Sequence, residues 1–147
     1  MSDADLAYEA ALQVIRQAIA EESTALDFHR EDTRALATLP PEIGDVPELE
    51  TIRLDYTQVT DLAPLQGLTG LRQLTLDRTQ VTDLAPLQGL TGLQQIYLDG
   101  TGVDDLTPLA NHTEMRAIWL DGTPVTDLRP VLGWKDLGES VFDPLRF

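Results

Sequence analysis

The chain has no cysteine, a single lysine at Lys135, and aromatic side chains at only 5% of its positions. Without cysteine there can be no disulfides, thiolate metal sites or thiol nucleophiles, and the composition suits a reducing compartment. No apolar run approaches the roughly 20 residues that a membrane-spanning helix requires. Residues 1–22 also lack the basic leader and unbroken apolar stretch of a secretory signal, so a cytoplasmic location is expected. Positive charge is scarce: ten Lys and Arg face 25 Asp and Glu, for a net charge of −15. A surface this acidic repels phosphate backbones and anionic lipid, which argues against nucleic-acid and membrane partners. Catalytic signals are equally thin. No glycine-rich phosphate loop, histidine cluster or nucleophile motif occurs, so neither an enzyme nor a cofactor is expected. His29 and His112 are far apart in sequence, and His112, within Asn-His-Thr-Glu, reads as a surface residue.

What the chain has in abundance is repetition. Residues 49–70 read LETIRLDYTQVTDLAPLQGLTG, 71–92 LRQLTLDRTQVTDLAPLQGLTG, 93–114 LQQIYLDGTGVDDLTPLANHTE and 115–136 MRAIWLDGTPVTDLRPVLGWKD. Four tandem copies of a 22-residue unit imply a solenoid of stacked coils, each too small to bury its own apolar side. Within a coil, Ile52 and Leu54 alternate with Arg53 and Asp55, the period of a short strand with one buried face. Leu49, Val59, Leu62, Leu65 and Leu68 continue the inward set around the turn. Thr57, Thr79, Thr101 and Thr123 form a column at the bend, where a hydroxyl can satisfy backbone groups. Asp61, Asp83, Asp105 and Asp127 precede Leu-x-Pro, placed to cap a short helical turn with proline near its start.

The ends differ from the middle. Residues 1–24 read as an amphipathic helix, with Ser2 as N-cap, Asp3 and Asp5 in the first turn, and Tyr8, Leu12, Ile15 and Ile19 on one stripe. Such a helix would cover the first coil's apolar edge. An irregular first repeat, 25–48, places Leu26 and Phe28 on a strand and Pro40, Pro41, Gly44 and Pro47 on its return path. Regular repeats follow at 49–70, 71–92, 93–114 and 115–136. Residues 137–147 read as a terminal strand or truncated cap, with Leu145 and Phe147 as strand positions. That strand's open edge invites self-association as a homodimer, or docking of a further domain in a longer natural chain.

The unit LxxLxLDxTxVTDLxPLxxLTx resembles the 22-residue leucine-rich repeat of the bacterial, internalin-like subclass, and LPPEIGDVPEL resembles the entry repeat of other bacterial leucine-rich repeat proteins. The resemblance covers about residues 25–133. It implies an α/β solenoid: a right-handed superhelix with a concave parallel sheet of about six short strands, short 3₁₀ or irregular convex segments, and an N-terminal capping helix. It also implies a non-enzymatic module that works by protein recognition. Threonine stands where many leucine-rich repeats carry asparagine at the bend, a difference of subclass. The ubiquitin ligases among bacterial relatives attach a separate domain with a catalytic cysteine, and this sequence has no cysteine.

If the strands stack in register, the outward positions form columns: Asp27, Arg53, Thr75, Tyr97, Trp119; then His29, Asp55, Asp77, Asp99, Asp121; then Arg30, Tyr56, Arg78, Gly100, Gly122. The partner-binding residues expected from this arrangement are Arg53, Tyr56, Arg78, Tyr97 and Trp119, with Asp55, Asp77, Asp99 and Asp121 favouring a partner that carries a basic patch. The same carboxylates could instead bond backbone amides of the next coil, and Trp119 could fold over Gly100 or Gly122. No metal is expected, because nothing in the sequence supplies the remaining oxygens a calcium ion requires. A structural or assembly role through the C-terminal edge is the alternative function.

Overall fold

The computed structural model describes residues 1–134. A helix, α1 (Asp3–Ala20), precedes five strands: β1 (Ala25–Asp27), β2 (Thr51–Arg53), β3 (Gln73–Thr75), β4 (Gln95–Tyr97) and β5 (Ala117–Trp119). They form one parallel sheet in sequence order, in unbroken register from Ala25 through Thr51, Gln73 and Gln95 to Ala117. Each strand is three residues long because its inward set turns away immediately afterwards. The return path then carries a 3₁₀ segment at Ala63–Leu65, Ala85–Leu87, Thr107–Leu109 and Arg129–Val131. The expected fold is the observed one, with five strands among the described residues. The sixth expected strand, at 145–147, and the rest of 137–147 lie outside the described residues.

Inward leucines stack into continuous rows. Leu74, Leu76, Leu87, Leu93, Ile96, Leu98 and Leu109 are all fully buried, and each contributes about 1.5–3 kcal/mol relative to exposure. The threonine column holds the bend: Thr57, Thr79, Thr101 and Thr123 donate from Oγ1 to the carbonyls of Leu54, Leu76, Leu98 and Leu120 at 2.7–2.8 Å. The aspartates before each 3₁₀ segment accept from backbone amides two residues on, Asp61 from Ala63 at 2.8 Å and Asp105 from Thr107 at 2.9 Å. Both expected columns are therefore structural in the way their chemistry suggested.

α1 begins with a reciprocal cap. Ser2 Oγ accepts the amide of Asp5, and the Asp5 carboxylate accepts the amide of Ser2 at 2.9 Å. The helix packs on β1 and on the 3₁₀ segments Glu31–Thr33 and Pro41–Asp45, covering the first coil. Its buried stripe differs from the expected one. Ala7, Ala11, Ile15 and Ala18 face the coil, Tyr8 and Leu12 flank them half-buried, and Ile19 is exposed. Three alanines let the helix lie close to the coil beneath, rotating the bulkier residues to its margins.

His112 is the second correction. It is fully buried, because it occupies the inward column of Leu68 and Leu90 at the next 22-residue step. Its ring Nε2 lies 2.9 Å from the Leu87 carbonyl. A carbonyl only accepts, so the proton sits on Nε2, and Nδ1 is left buried without a partner. Among the described residues, no helix is long and apolar enough to cross a membrane.

Candidate partner-binding face

The register aligns the outward side chains as the sequence suggested, with Asp27, Arg53, Thr75, Tyr97 and Trp119 on successive strands. Strands spaced about 4.8 Å apart bring neighbours in such a column into contact. Tyr97 and Trp119 use that spacing fully: their rings stack with centroids 3.8 Å apart and planes 4° from parallel. Both are half-buried. Trp119 therefore covers Tyr97, and Gly100 lies beneath a different side chain. A Cβ at Gly100 would lie 2.5 Å from Arg78 Cδ, so it is Arg78 that crosses Gly100.

The carboxylate row is tied to the backbone. Asp55, Asp77 and Asp99 each accept, through Oδ1, the amide of the next aspartate in the row, at 3.1, 2.9 and 2.8 Å. Each carboxylate thereby satisfies an amide at the edge of the neighbouring coil. Burial raises Asp77 to about 6; the amide of Asp99 and the Arg78 charge work against that rise, and the charges of Asp99 and Asp55 add to it. Tyr97 is pushed up by burial and by the charges of Asp77 and Asp55.

Basic side chains gather at the other end of the face. The Asp55 carboxylate lies 3.8 Å from both His29 Nδ1 and Arg53 Nη2, while Arg53 Nη1 lies 3.5 Å from Asp27. Tyr56 is 54% exposed and meets the His29 ring edge-on at 5.4 Å. His29, Arg30, Glu31, Arg34, Asp55 and Tyr56 line a cleft of about 300 Å³. Sequence reasoning did not single out Arg34 and Glu31, because the irregular first repeat gave no register with which to place them.

Backbone conformation marks two of the expected residues again. After Arg30, which is extended, the third outward column turns through the left-handed region, with φ of 62° at Tyr56, 59° at Arg78, 69° at Gly100 and 72° at Gly122. Glycine adopts it freely, whereas other residues incur about 1–2 kcal/mol. The sequence carried that signal: Tyr56 and Arg78 stand where the later repeats place glycine. The remaining departure is Thr75, which points outward by strand alternation yet is only 6% exposed, with its Oγ1 buried and unpartnered. Among the described residues, no group of three or more histidines and carboxylates is arranged to hold a metal.

Residues 47–89 match the family described as Leucine Rich repeats (2 copies). The fold is similar to internalin C2 from Listeria monocytogenes, at 37% identity over 66% of this chain and 45% of that one, with a TM-score of 0.60. It is also similar to a second Listeria monocytogenes internalin, inlF, at 23% identity, covering 87% of this chain and 47% of that one, with a TM-score of 0.62. A leucine-rich repeat protein from Leptospira interrogans shares the fold at 15% identity, covering 71% of this chain and 38% of that one, with a TM-score of 0.58. The chain thus spans less than half the length of each of these proteins. No curated protein sequence matches it.

Proposed function

Because this chain is a leucine-rich repeat protein of the bacterial, internalin-like kind, we propose that it is a non-enzymatic recognition module that binds a protein partner on its concave sheet. Leucine-rich repeat domains generally mediate protein–protein interaction. The observation that carries the concave assignment is the Tyr97–Trp119 stack, a pair of large half-buried rings at the one column where the repeats differ most. Stacked aromatics supply contact area at little entropic cost to the complex, because their rotamers are already fixed. Tyr56 and Arg78 support the same surface, since both retain a left-handed backbone that glycine would hold more easily.

Arg53 and Arg78 orient the partner at one side, and Asp55, Asp77, Asp99 and Asp121 favour a partner with a basic patch. The absence of cysteine is consistent with work in the cytoplasm. Hydroxyl-radical footprinting tests the surface, using a binder selected from a random-peptide display library on the immobilised protein. Tyr56, Tyr97 and Trp119 should be protected from oxidation when the binder is present. Protection confined to the convex side would contradict the proposal.

A further inference from the structure

Building on the concave-face reading above, we infer that Thr75, Asp77 and Tyr97 form a subsite for a cationic side chain of the protein partner, with a guanidinium as the best-fitting group. The floor is Thr75. It lies in register between Arg53 and Tyr97, points to the same side of the sheet, and is the one buried member of its column. Burial at an outward position means that its larger neighbours close over it, leaving Oγ1 without a hydrogen-bond partner. A buried hydroxyl without a partner is costly, and a group that reaches it recovers that cost.

The acid is Asp77, two residues further along the same side. Its Oδ1 is committed to the amide of Asp99, and among the described residues its second oxygen has no hydrogen bond or ion pair. Asp55, one coil earlier, has His29 and Arg53 within 3.8 Å. Asp77 thus has no ion pair like the one Asp55 makes with Arg53, the Arg78 charge acts on it without forming one, and burial disfavours its own charge. A cation supplied from outside would offset both.

The wall is Tyr97. Trp119 backs one face at 3.8 Å and fixes the ring. The register sets Tyr97 beside Thr75, two residues before Asp77 on the neighbouring coil, and the phenol feels the charges of Asp77 and Asp55. An electron-rich ring beside a carboxylate is the environment that holds a cation. Guanidinium suits it better than ammonium, because its plane can lie on the ring while its fork donates to Asp77 Oδ2 and, on parting the side chains that cover Thr75, to Oγ1 as well. A phosphate or carboxylate group would be repelled. The chain's net charge of −15 selects for the same sign of partner.

The probe is the peptide acetyl-Gly-Arg-Gly-amide, titrated into the protein while NMR follows the Thr75 methyl and the Trp119 indole. Its citrulline counterpart has the same shape without the charge. The arginine peptide should shift both signals saturably and bind at least five-fold more tightly than the citrulline peptide. Asp77→Asn, which keeps an oxygen for the Asp99 amide, should weaken the arginine peptide at least five-fold in a protein whose spectrum shows an intact fold. Tyr97→Leu should do the same. Equal binding of the two peptides, shifts confined to other residues, or an unaffected Asp77→Asn protein would each overturn the subsite. If the arginine peptide fails while a selected binder still protects Tyr56, Tyr97 and Trp119 from radicals, the subsite falls and the concave-face reading stands. A convex footprint overturns both.

Discussion

The rings of Tyr97 and Trp119 lie face to face across β4 and β5, 3.8 Å apart and 4° from parallel, on the side of the sheet that faces away from the leucine core. Each ring therefore holds the other in position. A double-mutant cycle of Tyr97→Leu and Trp119→Leu, read by denaturant unfolding, should give a coupling of about 0.5–1.5 kcal/mol. Additive losses would mean that the rings contribute independently.

The threonine column makes a second prediction. Thr101 is buried, and its hydroxyl donates to the Leu98 carbonyl at 2.7 Å. Thr101→Val keeps the shape and removes that donor, so unfolding should become easier by about 1–2 kcal/mol. The same change at Thr79, bonded to Leu76 at 2.7 Å, should cost a similar amount, since the repeats are equivalent.

His112 ties stability to pH. Burial holds its imidazole below the ordinary histidine value, against the Leu87 and Leu109 carbonyls that favour the proton. Below the ordinary value of about 6.5 the unfolded chain takes up a proton that the folded chain resists, so this contribution falls with pH. His112→Leu restores the residue type of Leu90 in the same column. Its melting temperature relative to the parent protein should rise more at pH 5 than at pH 8.

Asp77 works in the opposite direction. Its folded-state value, raised to about 6 from 3.8, means that the folded chain binds a proton before the unfolded one. This contribution makes the protein more stable as pH falls from above 6 toward 3.8. In a His112→Leu background, adding Asp77→Asn should therefore make the change in unfolding free energy less favourable as pH falls across that window, while Asp127, held low by Arg129, pulls the other way in both proteins. A slope unchanged by Asp77→Asn would refute the assignment.

Arg78 provides a test at the backbone. Its φ of 59° is one that glycine adopts at the equivalent position in the next two repeats. Arg78→Gly should relieve about 1 kcal/mol of strain, less whatever the side chain gains by lying over Gly100. The substitution should therefore stabilise the protein or leave it unchanged, while weakening a concave-face binder.

Much of this was legible in the sequence because a repeat supplies its own alignment. The 22-residue period fixed which residues share a column, so the register, the threonine bends and the aspartate caps follow from chemistry at equivalent positions. The same device would have placed His112 correctly, since it falls on the Leu68 and Leu90 column; its polarity and polar neighbours outweighed the period. Three features were not legible. The face that α1 buries depends on how closely Ala7, Ala11 and Ala18 let it approach. The burial of Thr75 depends on the side chains around it. The direction taken by Trp119 was a choice between equivalent neighbours, Tyr97 or the glycines, and only packing decides it.

Recognition on the concave sheet depends on Trp119, and binding by a Trp119→Ala protein is the measurement that decides it. Peptides selected on the parent protein from a random display library should bind Trp119→Ala at least ten-fold more weakly by calorimetry, at unchanged fold. A convex control, Gln88→Ala, exposed beside the Ala85–Leu87 segment, should bind them as the parent does. Affinity that survives Trp119→Ala and is lost with Gln88→Ala would place recognition on the convex side instead.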